Sequence, residues 1–178
     1  YSSHQMLSHN LLKQLKKKYG KSASWAIWAD AGDTPKSNIG DLSVFNDKEI
    51  HKKLNPHYVI VGLNPSVQDT SNEIWRNFHS LDNKRQNDYK LRYALKNTKF
   101  WGAYITDLNA TKETNSTKVT VVAEDIKSFK EEISLFENKP VLIALGDKVY
   151  NSLRKNLNDE YKVVKIKHFS CYISKEAY

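Results

Sequence analysis

Four short apolar runs constrain the fold of this chain more than any other feature. They are YVIVGL at 58–63, AYITDL at 103–108, VLIAL at 141–145 and VVKIKHF at 163–169. Each is too short for a stable helix and rich in β-branched or aliphatic side chains, and the first three carry apolar residues on both faces, the mark of a strand buried on both sides. Each is stopped by a polar turn: Asn64-Pro65-Ser66, Asp107-Leu108-Asn109, Gly146-Asp147 and His168-Phe169-Ser170. Helical spacing occupies the intervals. Tyr89, Tyr93, Ala94 and Leu95 recur within 86–98, and Ile126, Phe129, Ile133 and Phe136 within 123–137. Val149, Tyr150, Leu153 and Leu157 follow Asp147, and an amphipathic segment with Leu11, Leu12, Leu15 and Tyr19 precedes Gly20. Strands separated by helices predict an α/β three-layer sandwich around a central, mostly parallel sheet of about four strands. The short run around Trp25 and Trp28 reads as a first strand or a buried turn. The expected organisation is one domain over 1–178, with 1–50 as an N-terminal helical extension packed on it.

In open sheets of this kind the ligand sits beyond the carboxyl ends of the strands, so the four polar turns are where chemistry is expected. Familiar signatures are missing from them: there is no Walker loop, GxGxxG, HExxH or GxSxG. A single cysteine, Cys171, supplies neither an internal disulfide nor a four-Cys metal site, and the expectation is a chain with no cofactor and no metal. Net charge is +8, and the surplus is uneven: residues 51–100 carry 9 basic and 4 acidic side chains, and residues 151–178 carry 6 and 3. That bias fits a polyanion partner, whose phosphates release counterions when neutralised, and it equally fits a lysine-rich solvated surface. No run approaches the ~18 apolar residues of a membrane helix, and no basic-then-apolar leader opens the chain, which gives the expectation of a cytoplasmic protein with no membrane partner.

Taken together and in order, the four strand-end phrases resemble the motifs of the uracil-DNA glycosylase superfamily. Gly62-Leu63-Asn64-Pro65-Ser66 is similar to its first motif, with Trp75 and Phe78 further on as candidates for stacking on a base. Tyr104-Ile105-Thr106-Asp107-Leu108 is similar to the phrase that ends in a base-reading residue. Leu142-Ile143-Ala144-Leu145-Gly146-Asp147 matches the penultimate strand, and His168-Phe169-Ser170 the last motif. The resemblance covers roughly 58–172. The NPS in its first motif is similar to an uncharacterised branch of the superfamily.

The resemblance implies a uracil-DNA-glycosylase-like fold and a DNA glycosylase that flips a damaged or modified base and hydrolyses its N-glycosidic bond. Asn64 would hold the attacking water and His168 would donate to the base carbonyl as charge develops. Gly62, Leu63, Asp107, Trp75 and Phe78 would form the base pocket. Ser66 and Ser170 would grip backbone phosphates, with Lys165, Lys167 and Lys175 beside them, and Tyr172 would wedge into the stack. Read only as residues, Asn64 also serves as a turn former before Pro65, Asp107 as a cap, and His168 as a structural strand-end histidine.

Two positions depart from the family pattern. Phe169 stands where the last motif has Pro, and Asp107 where the base reader is Asn. An ionised Asp offers acceptors only, so it matches an exocyclic amino group of a cytosine-type base rather than uracil O4. The alternatives are a non-catalytic nucleic-acid-binding protein of the same fold and a nucleoside- or nucleotide-binding protein.

Overall fold

The computed structural model describes residues 8–34, 37–64, 73–79, 88–109 and 119–167. Helix α1 (His9–Tyr19) starts where Ser8 Oγ accepts from the Leu11 N–H at 3.1 Å, and Lys16, Lys17 and Lys18 sit in its last turn, where the helix dipole favours cations. The order then runs β1 (Ser24–Trp25), two single 3₁₀ turns, β2 (Asn55–Gly62), α2 (Asp88–Leu95), β3 (Ala103–Asp107), α3 (Ala123–Ile133), β4 (Val141–Leu145), α4 (Asp147–Leu157) and β5 (Val163–Ile166). The strands form one mixed sheet of order β1-β3-β2-β4-β5. Every pairing is parallel except β1 with β3.

Among the described residues the sheet has five strands, against an expectation of about four. The extra one is β1, which pairs Ser24 with Ile105 and Trp25 with Tyr104. Two residues are too few to show an alternation, and the pairing is secured by side-chain burial: Trp25 is wholly buried, edge-on to the Tyr104 ring at 4.9 Å. The first fifty residues are thus not only a helical extension, because they supply an edge of the sheet. The segments expected over 86–98 and 123–137 are shorter helices, and Phe136 reaches the core from the turn after α3. Of the expected run at 163–169, positions 168 and 169 lie outside the described residues.

Strand alternation sorts the core into two layers. Val59, Val61, Tyr104, Leu142 and Ala144 pack with Leu11 and Leu15 of α1, Phe129 and Ile133 of α3, and Val149, Leu153 and Leu157 of α4. Ile60, Ile105, Ile143 and Leu145 face the other way, toward Leu91 and Leu95 of α2. Helices cover both faces, as the doubly apolar strands require. The chain leaves β2 toward β3 through α2, then crosses back to β4 through α3, so the carboxyl ends of β2 and β4 mark a topological switch point. No helix among the described residues is long and apolar enough to cross a membrane.

One acid is buried within the first layer. Glu132 on α3 is 6% exposed, and it accepts hydrogen bonds from the Tyr104 hydroxyl and from Thr106. Burial outweighs those bonds and pushes its carboxyl from 4.5 up to about 7. The folded state thus holds a proton that the unfolded chain releases, so this site stabilises most below pH ~4.5 and loses that contribution as pH rises through ~7. Glu132→Gln, which keeps the neutral form at every pH, is expected to match the parent near pH 4.5 and to exceed it by roughly 3 kcal/mol at pH 8, by urea denaturation at the two pH values. Equal stability of the two proteins at pH 8 would show that the carboxylate is accommodated without cost.

Candidate functional site

The carboxyl ends of β2 and β3 meet at Gly62 and Asp107, which are register partners. A Cβ at position 62 would stand 2.6 Å from Asp107 Oδ1 and 3.1 Å from Phe78 Cζ, so the close approach of carboxylate and ring requires glycine here. The ladder runs on past both strands: Leu108 N–H donates to Gly62 O and Asn109 N–H to Leu63 O, each at 2.8 Å. Half-buried Asn64 follows directly. Asn109 then ties β3 to α3, since its amide donates to Asp125 Oδ2 at 2.9 Å while that carboxylate also accepts from Val122 N–H at the helix start.

The second oxygen of Asp107 accepts from Asn77 Nδ2 at 2.7 Å, and the same amide donates to Ser22 O at 2.9 Å. Asn77 belongs to the segment 73–79, in which Trp75 and Phe78 both take a left-handed backbone conformation, each at φ 64°. Bulky side chains adopt it at a cost on the order of 1–3 kcal/mol. Long-range hydrogen bonds hold the segment in place. Trp75 N–H donates to Gly20 O at 2.7 Å, Ser24 Oγ donates to Trp75 O at 2.9 Å, and the Trp28 indole donates to Phe78 O at 2.9 Å. Arg76 donates to Gly40 O at 2.6 Å and to His79 O at 3.1 Å. His79 is fully buried, with Nε2 2.7 Å from Ile27 O and Nδ1 3.0 Å from Asn77 O. Burial lowers its pKa to about 4, so this ring is a neutral structural bracket at neutral pH.

The structure thus joins Gly62, Asp107 and Phe78, with Asn64 one step beyond and Leu63 buried beneath. It does not bring Trp75 to them. That ring lies in the core layer of the opposite sheet face, against Trp25 at 5.9 Å. Lys165 and Lys167 are exposed, but Lys165 already pairs with Asp147 at 2.8 Å and lies over the Tyr150 ring at 5.4 Å. Each partner strengthens the other's charged form: the Lys165 ammonium is pushed up and the Asp147 carboxyl down. Ser66, His168, Ser170, Tyr172 and Lys175 lie outside the described residues. Asn109 lies in the expected strand-end turn, whereas Asn77 is a site residue that the sequence motifs do not single out. The available signal was that Asn77 is the one uncharged polar residue between Trp75 and Phe78.

No group of three or more His, Cys, Asp or Glu among the described residues is arranged to hold a metal ion. Chemically, the site offers a carboxylate, a flat apolar ring and a side-chain-free floor at Gly62. Comparison of the chain with models of protein families, with curated proteins and with solved structures finds no match.

Asn77 is the hinge of this arrangement, and Asn77→Ala is expected to lower stability by about 1–3 kcal/mol, because it strips a donor from a carboxylate and from a carbonyl at once. Asp107→Asn keeps an acceptor for the Asn77 amide and should melt within a few degrees of the parent. Thermal melting of both variants checks the pair; the reverse ranking would place the strain at Asp107 and not at its anchor.

Proposed function

We propose that this chain is a DNA glycosylase that hydrolyses the N-glycosidic bond of a flipped base, and that the base carries an exocyclic amino group, as cytosine-type bases do. The observation that carries the reading is the meeting of Gly62 and Asp107, from two motif phrases, with the candidate stacking residue Phe78 at one end of the sheet. In this reading the Phe78 ring stacks on the base, Gly62 allows the Asp107 carboxylate and the Phe78 ring to approach each other, and Asp107 accepts from the amino group. Asn77 keeps the carboxylate aimed by occupying its other oxygen.

The bond cleavage follows from charge. The electron pair of the C–N bond leaves with the base, and His168 donates a hydrogen bond to the base carbonyl as negative charge grows there. Asn64 orients a water whose oxygen bonds to the sugar carbon, and the water's proton passes to solvent or to the departing base. An amide cannot accept that proton fully, so turnover is slow. Ser66 and Ser170 hold phosphates, with Lys165, Lys167 and Lys175 around them, and Tyr172 fills the gap left by the flipped base.

The test is single-turnover base release from short duplex and single-stranded DNA carrying uracil or cytosine-type bases, with affinity measured at two salt concentrations. Asn64→Ala and His168→Ala are each expected to slow release about a hundredfold with affinity nearly unchanged. Asp107→Asn should move preference toward uracil by tenfold or more. Salt-dependent binding without release of any base would instead establish the non-catalytic nucleic-acid binder, and binding indifferent to salt would remove DNA as the partner.

A further inference from the structure

The opposite end of the sheet carries two adjoining cavities that the proposed reaction does not use. One, of about 580 Å³, is lined by Lys52, Lys53, Lys99 and Lys139, and no carboxylate lines it. The other, of about 470 Å³, has Trp101 in its wall, with buried Trp28 in contact behind it at 5.7 Å, and Asp30, Asp47, Lys96 and Asn97 also line it. Lys53 and Trp101 line both, so the two form one bipartite site with a cationic half and an aromatic half. Their volumes fall within the ~300–1,000 Å³ of small-molecule pockets.

The walls are held firmly. Asn55, at the start of β2, is tied to the stretch before β3: its N–H donates to Gly102 O at 2.8 Å and its side-chain amide donates to Lys99 O at 2.8 Å. Gly102 has φ 87°, and a Cβ there would stand 2.4 Å from Lys53 O. The stretches bearing Lys53, Lys99 and Trp101 are therefore locked together before any ligand arrives, which lowers the ordering cost of binding. The Lys99 ammonium lies over the Tyr58 and Phe100 rings at 5.8 and 5.4 Å, and that of Lys139 over Tyr161 at 5.5 Å. Ring faces attract these cations without neutralising them. Lys53 and Lys52 pair with Asp47 and Glu49 at 2.8 and 3.0 Å, on exposed contacts that an entering anion displaces at little cost.

We propose that this bipartite site binds a free nucleoside di- or triphosphate, its phosphates among the four lysines and its base against the part-exposed Trp101 indole of the aromatic half. The lysines converge on one concavity, which suits phosphates clustered on one small ligand; a nucleic-acid backbone presents them along a track. The inference is independent of the proposed glycosylase reaction, which lies at the other end of the strands.

Isothermal titration with ATP, adenosine, inorganic tripolyphosphate and a short oligo-dT, at one fixed salt concentration, tests it. ATP is expected to bind at least tenfold more tightly than adenosine and than tripolyphosphate. The exposed pair Lys99→Ala/Lys139→Ala should weaken ATP at least tenfold with an unchanged melting temperature, whereas Asp107→Asn should leave ATP affinity untouched. Tripolyphosphate binding as tightly as ATP would overturn the assignment, since the aromatic half would then contribute nothing. Loss of ATP binding in Asp107→Asn alone, oligo-dT as the tighter ligand, or no binding of ATP would overturn it equally.

Discussion

The burial of β2 on all sides is the constraint from which the rest of the structure follows. Val59, Ile60 and Val61 are each wholly buried, and β2 has β3 on one side and β4 on the other. A central strand without a polar face needs cover above and below, at about 1.5–3 kcal/mol of hydrophobic stabilisation per large side chain. Parallel neighbours supply the cover, because each crossover lays a helix across a face. The same crossovers bring Asn64, Asp107 and Gly146 to one end of the sheet, since parallel strands all finish there. The site's location is a by-product of the solution to the packing problem.

Two buried groups shifted within the acid-to-neutral range pull stability in opposite directions. Glu132, raised to about 7, favours the folded state at low pH; His79, lowered to about 4 from 6.5, favours it at high pH. A depressed histidine contributes fully above its unfolded pKa and loses that contribution as pH falls through its folded one. Between pH ~4.5 and ~6.5 the two slopes run oppositely and largely cancel. A flat stability profile over that range thus reflects compensation between α3 and the segment 73–79, not the absence of buried ionisable groups. Each group also bridges distant parts of the chain: Glu132 joins α3 to β3, and His79 joins its segment to the run after β1.

Much of the architecture was legible because apolar periodicity is a local property. β2, β3, β4 and β5 and the four α-helices among the described residues coincide with runs visible in the sequence. β1 was ambiguous because two residues carry no period, and its existence rests on what Trp25 packs against. Within the candidate site, Gly62 and Asp107 were legible as strand ends. Asn77 was not, because its partner lies 30 positions away and an asparagine between two aromatics announces no role. Trp75 and Phe78 looked equivalent in sequence, three positions apart in an aromatic stretch. Left-handed turns at both send their rings into opposite layers of the core, and neither tryptophan nor phenylalanine marks such a turn as glycine or asparagine does.

Charge placement separates the two ends of the sheet. Helices that follow parallel strands start at the carboxyl end, and there the first turns carry Asp88, Glu124, Asp125 and Asp147, which answer the positive ends of the helix dipoles. Their last turns carry Arg92, Lys130, Arg154 and Lys155, and the lysine-lined cavity lies toward the same amino end. Among the described helices the basic turns therefore lie away from the end that holds Asp107. Salt-dependent binding of a polyanion follows from the total charge wherever it lands, so it does not by itself locate DNA at the candidate base pocket. What locates it is a contrast of single lysines. If DNA engages the Asp107 end as proposed, removing Lys167, just past β5, lowers affinity for it, whereas anions gathered at the amino end are weakened by removing Lys139, two residues before β4. The net charge changes equally in both cases, so only position distinguishes them.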